Sequence, residues 1–364
     1  MFRKWGLAGA SMLLAAAVIL PGCGSKQEPK EALQGAATKA AEMTSYEMQS
    51  KLVVNNLTID EASSESADMT TQVMSMLKNA DISVDAVYQA KPMQTEMTLV
   101  LNLKGDMSMS FTVPMVMTEE KLYVKVPSIP FLPIPESVVG KFVVFDLKEL
   151  AEHEGAEFNP AMMDTQKMQK LSNELMSAVL NEYDEAKYFK SVEPKDAGVP
   201  EGVDAKQVVQ FQVTNDNVKE ALSIFGNKVM PKILDIISKD EYKSMLQIEQ
   251  SVLDDAKADV QDGEAKAEFE KTLNDLDKYL TVNKFQLNTA INKEEFPVYQ
   301  SLDLDINVNN PDDGTKVGLS LTGSNQYSKI NEKAEFKIGI PKDSEVITQD
   351  QLEQQFNTSA LESN

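Results

Sequence analysis

The fold is decided by one stretch of the sequence, Met107-Ser108-Met109-Ser110-Phe111-Thr112-Val113-Pro114-Met115-Val116-Met117. Large apolar residues occupy every second position of this stretch, and Ser108, Ser110 and Thr112 lie between them. Because successive side chains of a β-strand point to opposite faces, the six apolar side chains share one face. The stretch therefore predicts a β-strand whose apolar face must be covered, either by protein or by a ligand.

The same alternation continues on both sides of this stretch. Ile82, Val84 and Ala86 alternate, as do Met97, Leu99, Leu101 and Leu103, and a turn at 104–106 separates the second run from the next. Such runs, separated by turn residues, predict an antiparallel meander. Further strands are predicted at 45–54, 122–124, 141–147, 188–192, 207–213, 281–292, 298–309, 316–327 and 334–340.

Helical spacing appears in three places, one before the first strand and two between strands. An alanine-rich segment at 31–43, a stripe from Met168 to Val179 and the long segment 215–280 predict helices. Between the last strands, Asn309 to Gly314 has the composition of a hairpin turn rather than of a calcium loop, which needs more oxygen ligands at alternating spacing. The expected fold class is α+β: a large curved antiparallel sheet, or half-open β-barrel, with helices packed against its concave face.

The N-terminus predicts export. Arg3 and Lys4 precede an uncharged segment at 7–20, which Pro21 ends. A transmembrane helix needs about 20 apolar residues, so this shorter run is typical of a cleaved signal. Gly22 and Cys23 follow it, and Cys23 is the single cysteine of the chain. A plain secretory signal with an incidental cysteine is the alternative.

Composition narrows the function classes. Removal of residues 1–22 takes away two basic residues and no acidic one, so the formal charge of −22 becomes −24. This charge repels phosphate backbones, and we expect no nucleic-acid partner. His153 is the single histidine and lies among charged residues. With one cysteine and one histidine we predict no metal site, no cofactor and no catalytic residue, and therefore no enzyme. Carboxylate catalysis on a polysaccharide or peptide is the third hypothesis, because acidic residues are abundant.

Two parts of the sequence resemble known protein families. The segment around Cys23 resembles a bacterial lipoprotein signal, with Leu20 and Gly22 at lipobox positions and Pro21 in place of the usual small or β-branched residue. This resemblance implies a diacylglycerol on the Cys23 sulfur and a location at the extracytoplasmic face of the cell membrane. Residues 31–343 resemble the LolA and LolB carriers and the LppX and LprG group of lipoproteins, through the helix that leads into Ser45-Tyr46-Glu47-Met48, the 107–117 strand and the helices before Thr281. That resemblance implies a half-open barrel that holds acyl chains between sheet and helices.

The predicted organisation is a signal at 1–22, an acylated Cys23 with a tether to residue 30, one domain at 31–343 and a polar tail at 344–364. The leading hypothesis is a membrane-anchored lipoprotein that binds a lipid or other apolar ligand without catalysis. The candidate ligand-binding residues are Met97, Leu99, Leu101, Met107, Met109, Phe111, Val113 and Met115, with Phe131 of a proline-rich loop as a rim. The alternative is a structural or protein-interaction lipoprotein of the cell envelope without a ligand cavity, whose protein partner the sequence does not name.

Overall fold

A computed structural model describes residues 27–60, 78, 80–103, 108–129, 134–153, 159, 165–311 and 314–362. The strands are β1 Ser45–Asp60, β2 Asp81–Ala90, β3 Met93–Leu103, β4 Met109–Thr118, β5 Lys121–Lys125, β6 Phe142–Asp146, β7 Phe189–Val192, β8 Gln207–Val213, β9 Leu280–Ile291, β10 Pro297–Asn309, β11 Lys316–Ser328 and β12 Val346–Thr348. The helices are α1 Pro29–Ala40, α2 Leu147–His153, α3 Thr165–Glu182, α4 Glu185–Tyr188, α5 Val218–Ile224, α6 Met230–Ile237, α7 Asp240–Leu246, α8 Gln250–Gln261, α9 Gly263–Asn274, α10 Leu276–Tyr279 and α11 Gln349–Glu362.

One sheet organises the described residues. Its strand order is β12-β6-β5-β4-β3-β2-β1-β11-β10-β9-β8-β7, and every neighbouring pair is antiparallel except β12 with β6. The first and last strands of this order are edges, so the sheet is open. The prediction of an α+β fold, with helices packed on a large open antiparallel sheet, is confirmed. The hairpin turn is confirmed too, because Asn309 of β10 pairs with Lys316 of β11.

Helices cover one face of the sheet at the β7–β10 end. Ala32 and Ala36 of α1 pack with Leu180 of α3 onto Phe189 and Val209 of the sheet, and all five are buried. Small alanines on α1 let this helix approach the strands closely. The predicted stripe of α3 divides between two neighbours: Leu171 is buried with Tyr242 and Met245 of α7, and Val179 packs with the cluster on the sheet.

The same face is covered again at the opposite end of the sheet. Val143 of β6 and Ile347 of β12 are buried with Val138, and Leu352 of α11 packs against them. Val143 pairs with Val124, which pairs with Met115, so this cluster shares a face with the alternating residues of β4. The two covered ends leave the middle of the face, on β1 to β4, half-buried.

One predicted strand is wrong. Residues 334–340 form no strand but run as an irregular segment on the other face of the sheet. The backbone N–H groups of Lys337, Ile338 and Gly339 donate to the buried carboxylate of Glu96 on β3, at 2.7–3.0 Å. These donors are bound to a side chain, so they are not available for a strand ladder. The sequence also did not predict β12, which opens the C-terminal segment.

Several predictions concern residues outside the described ranges. They include the export signal, Cys23, Met107, Phe131 and most of the segment 61–79. Among the described residues, no helix combines the length and hydrophobicity needed to cross a bilayer.

Candidate functional site

An apolar depression lies between the helices and the sheet. It is a cavity of about 570 Å³ that is partly open to solvent. Leu33 of α1 and Met176, Val179 and Leu180 of α3 form its upper side, and the sheet forms its floor. Small-molecule pockets commonly enclose ~300–1,000 Å³ and are mostly apolar, so the cavity has the size and lining of a ligand site.

The floor contains an in-register series of apolar residues, which we call the apolar row. Each member pairs with the next across neighbouring strands. The members are Phe211, Leu287, Leu302, Gly323, Leu52 and Ile82. With neighbouring strands ~4.8 Å apart, the row extends over ~24 Å. One leaflet of a bilayer, half of a ~30 Å hydrocarbon core, is shorter, so the row is long enough for an acyl chain.

Large apolar side chains of this cavity remain in contact with solvent. Leu52 is 37 %, Leu287 41 % and Met176 42 % exposed. Burial of apolar surface stabilises by ~25 cal/mol per Å². The exposed side chains therefore leave favourable free energy that a bound apolar molecule would recover.

Gly323 deepens the centre of the apolar row. A Cβ atom built on it would lie 3.7 Å from Leu52 Cδ1 and 3.8 Å from Leu302 Cβ, which are ordinary contact distances. The site thus accepts a larger side chain without a clash. Glycine weakens a strand interior, and here it leaves space where its neighbours in the row have side chains.

A second series lies two residues along each strand, ~7 Å from the apolar row. We call it the polar row. It consists of Thr289, Gln300, Asn325 and Ser50, again paired in register. The Ser50 hydroxyl donates to Asn325 Oδ1 at 2.5 Å. Val209 and Val84 flank the row, so four polar side chains stand inside an apolar surface.

Two smaller cavities continue the site beneath α1 and α3. One, of about 320 Å³, shares Leu33, Met176, Thr289 and Gln300 with the main cavity. The other, of about 400 Å³, shares Gln300 with both. We call the three together the groove, and Gln300 lies at their junction.

Three tyrosines stand at the far end of the groove. The ring of Tyr46 lies 5.0 Å from that of Tyr88 and 5.5 Å from that of Tyr327, between ring centres. Burial, with smaller contributions from the neighbouring tyrosines, raises the pKa of Tyr46 to about 12. The end of the groove is therefore aromatic and uncharged at neutral pH.

The structure places the predicted ligand-binding residues beside this groove. Leu101 pairs with Ile82, and Phe111 pairs with Leu101, so both extend the apolar row onto β3 and β4. Met97, Leu99, Val113 and Met115 lie on the same face, and Met109 is two residues from Phe111 on β4. All seven are half-buried, but none lines the 570 Å³ cavity. They form an open apolar surface that continues from it.

Most residues of the groove were missed from the sequence. Leu287 and Leu302 belong to strands that were predicted correctly, and their alternation was visible. No sequence signal distinguished their face from the opposite one as the side that meets α3. A polar residue such as Gln300 gave no signal, because its importance depends on the neighbours that pairing brings to it.

Within the described ranges no group of three or more His, Cys, Asp and Glu residues could hold a metal ion. A scan against known protein families finds no match for this sequence. A search of curated proteins finds no match either.

Proposed function

We propose that this protein is a membrane-anchored, extracytoplasmic lipoprotein that binds a lipid or another apolar ligand in the groove, without catalysing a reaction. The observation that carries the proposal is the 570 Å³ cavity with solvent-exposed Leu52, Leu287 and Met176. Such a lining favours an apolar occupant. The lipoprotein-like signal ending at Cys23 and the resemblance to the LolA and LppX carriers support the same function.

A lipid anchor fits this function because the ligand would come from the membrane. An acyl anchor would hold the groove close to a bilayer, where the concentration of apolar ligand is highest. The open apolar surface on β3 and β4, which includes Leu101 and Phe111, would then be the side by which a chain enters the covered cavity.

The test is lipid binding by the chain from Gly24 onward, which retains every residue that the structure describes. Organic extracts of the protein purified from its own host are examined by mass spectrometry, and uptake of an apolar fluorescent dye is titrated. The proposal expects co-purified lipid and saturable dye uptake.

The variant Gly323→Val narrows the centre of the groove. Its side chain takes the space of about two ligand methylenes, at ~0.8 kcal/mol each, so dye affinity should fall by about 15-fold. The matched control is Thr322→Val, the neighbouring residue on the opposite face of β11, which should bind as the parent does. Clean extracts and no dye uptake by the parent protein would refute the proposal and favour the structural or protein-interaction role.

A further inference from the structure

We infer that the ligand is an amphiphile whose uncharged carbonyl group, an ester or amide, is hydrogen-bonded by the polar row while its hydrocarbon chain lies on the apolar row. This inference rests on the proposed function. It adds the chemical class of the ligand, because a plain hydrocarbon would leave the polar row without partners.

The polar row has hydrogen-bonding groups to spare. Asn325 Oδ1 is occupied by the Ser50 hydroxyl, so its amide nitrogen is left as a donor. Among the described residues, no hydrogen bond joins the side chain of Gln300 or Thr289 to another group. An apolar ligand pressed onto these side chains would desolvate them without replacement, which is unfavourable. A carbonyl oxygen would accept from them.

Charge excludes an ionised headgroup at this position. The described residues that line the groove include one charged residue, Lys51. Lys51 alternates with Ser50 and Leu52 on β1, so its side chain belongs to the opposite face. Arginine is absent from the chain after Arg3. A carboxylate or phosphate beside Gln300 would be buried without a cation, in a protein of formal charge −24 after removal of residues 1–22.

The spacing of the two rows fits one molecule. They are ~7 Å apart along the strands, and both lie under Met176 and Leu33. A carbonyl group at Gln300 therefore leaves the attached chain free to turn onto Leu302 and Gly323. The remaining substituent of the ester or amide would extend toward the tyrosine end through the two smaller cavities.

The experiment compares four probes with the same chain length: dodecane, methyl dodecanoate, dodecanamide and ionised dodecanoate at pH 8. Each displaces an apolar fluorescent dye from the full-length processed protein, purified in a detergent that does not displace the dye. The expected order is amide and ester tightest, with dodecane and dodecanoate each about tenfold weaker, the effect of one net hydrogen bond or more.

The double variant Gln300→Leu and Asn325→Leu then tests the assignment. It should bind dodecane at least as well as the parent, and its preference for ester and amide should disappear. The control Gln286→Leu, on the opposite face of β9, should keep that preference. Equal affinities for dodecane and the ester in the parent, or an unchanged preference in the double variant, would overturn the inference. Failure of all four probes and of the dye would instead refute the proposed function. Circular dichroism and the retained binding of dodecane establish that the double variant is folded.

Discussion

Replacement of Glu96 by alanine should destabilise the protein by releasing residues 334–340, which cross the face of the sheet opposite the groove. Glu96 is 5 % exposed and lies on β3 between Val87 and Val116 of the neighbouring strands. Its Oε1 accepts from the N–H of Lys337 at 3.0 Å, and its Oε2 accepts from Ile338 at 2.7 Å and Gly339 at 3.0 Å.

The expected loss in the free energy of unfolding follows from these three hydrogen bonds. A hydrogen bond to a charged group contributes ~1.5–3 kcal/mol, which gives a gross loss of about 4.5–9 kcal/mol. Two terms offset part of this loss. Lys337 and Ile338 are exposed residues, so their N–H groups can be rehydrated, and removal of the carboxylate also removes the cost of keeping it buried. We therefore expect a net loss below this gross value, of about 3 kcal/mol, which is at the upper end of the usual range for a single substitution.

Urea denaturation gives the free energy of unfolding, and hydrogen exchange at residues 337–339 gives the local effect. We expect a lower urea midpoint and faster exchange at these three amides in Glu96→Ala. Glu119→Ala, an exposed glutamate in the turn after β4, should change stability by less than about 0.5 kcal/mol. If Glu96→Ala matched this control, and exchange at 337–339 were unchanged, the assignment of Glu96 as the anchor of this segment would be wrong.

Two further predictions concern packing and pH. Burial raises the pKa of Tyr46 from its usual 10 to about 12, so the stability that its neutral form contributes is present below pH 10 and lost as pH rises toward 12. In urea denaturation, Tyr46→Phe should therefore lose less stability between pH 9 and pH 11 than the parent protein. An identical loss in both proteins would contradict the assignment. A Cβ atom on Gly226 would lie 2.7 Å from Phe269 Cε1 and Cζ, so Gly226→Ala should cost about 1–3 kcal/mol by overpacking. In the Phe269→Ala background the same change should cost less, and a double-mutant cycle with no coupling would show that the contact is not the cause.

The strands and helices could be predicted because their signals are local. Alternation at 97–103 and 109–117 and helical spacing from Met168 to Val179 appear in short windows, and the structure has strands and a helix there. The alternation at 334–340 predicted a strand that does not form, and the reason is physical. The apolar residues of this segment alternate, but its backbone donors are bound by Glu96, which lies more than 200 residues earlier in the chain.

The sequence predicted that an apolar face exists, but not which residues form the groove on it. The sequence indicated a Met-rich apolar face and the candidates from Met97 to Met115. Apart from Met107, which is outside the described residues, these candidates lie on the face that contains the groove. The cavity itself is built from residues such as Leu52, Leu287 and Leu302. These residues come from separate strands. The apolar row forms only when the strands pair in the observed registers, and no short stretch of sequence contains those registers.

By itself, the sequence determined the α+β class, the alternation of the long strands and the charge of the surface, because these depend on residue types and on spacing within an element. The tertiary structure decided which part of the apolar face is covered. Alternation fixes which side chains share a face, but not where α1 and α3 lie on it. Because these helices pack on β7 to β10, the groove lies between them and the sheet, and because α11 packs at the opposite end, the surface on β3 and β4 beside the groove is left half-buried.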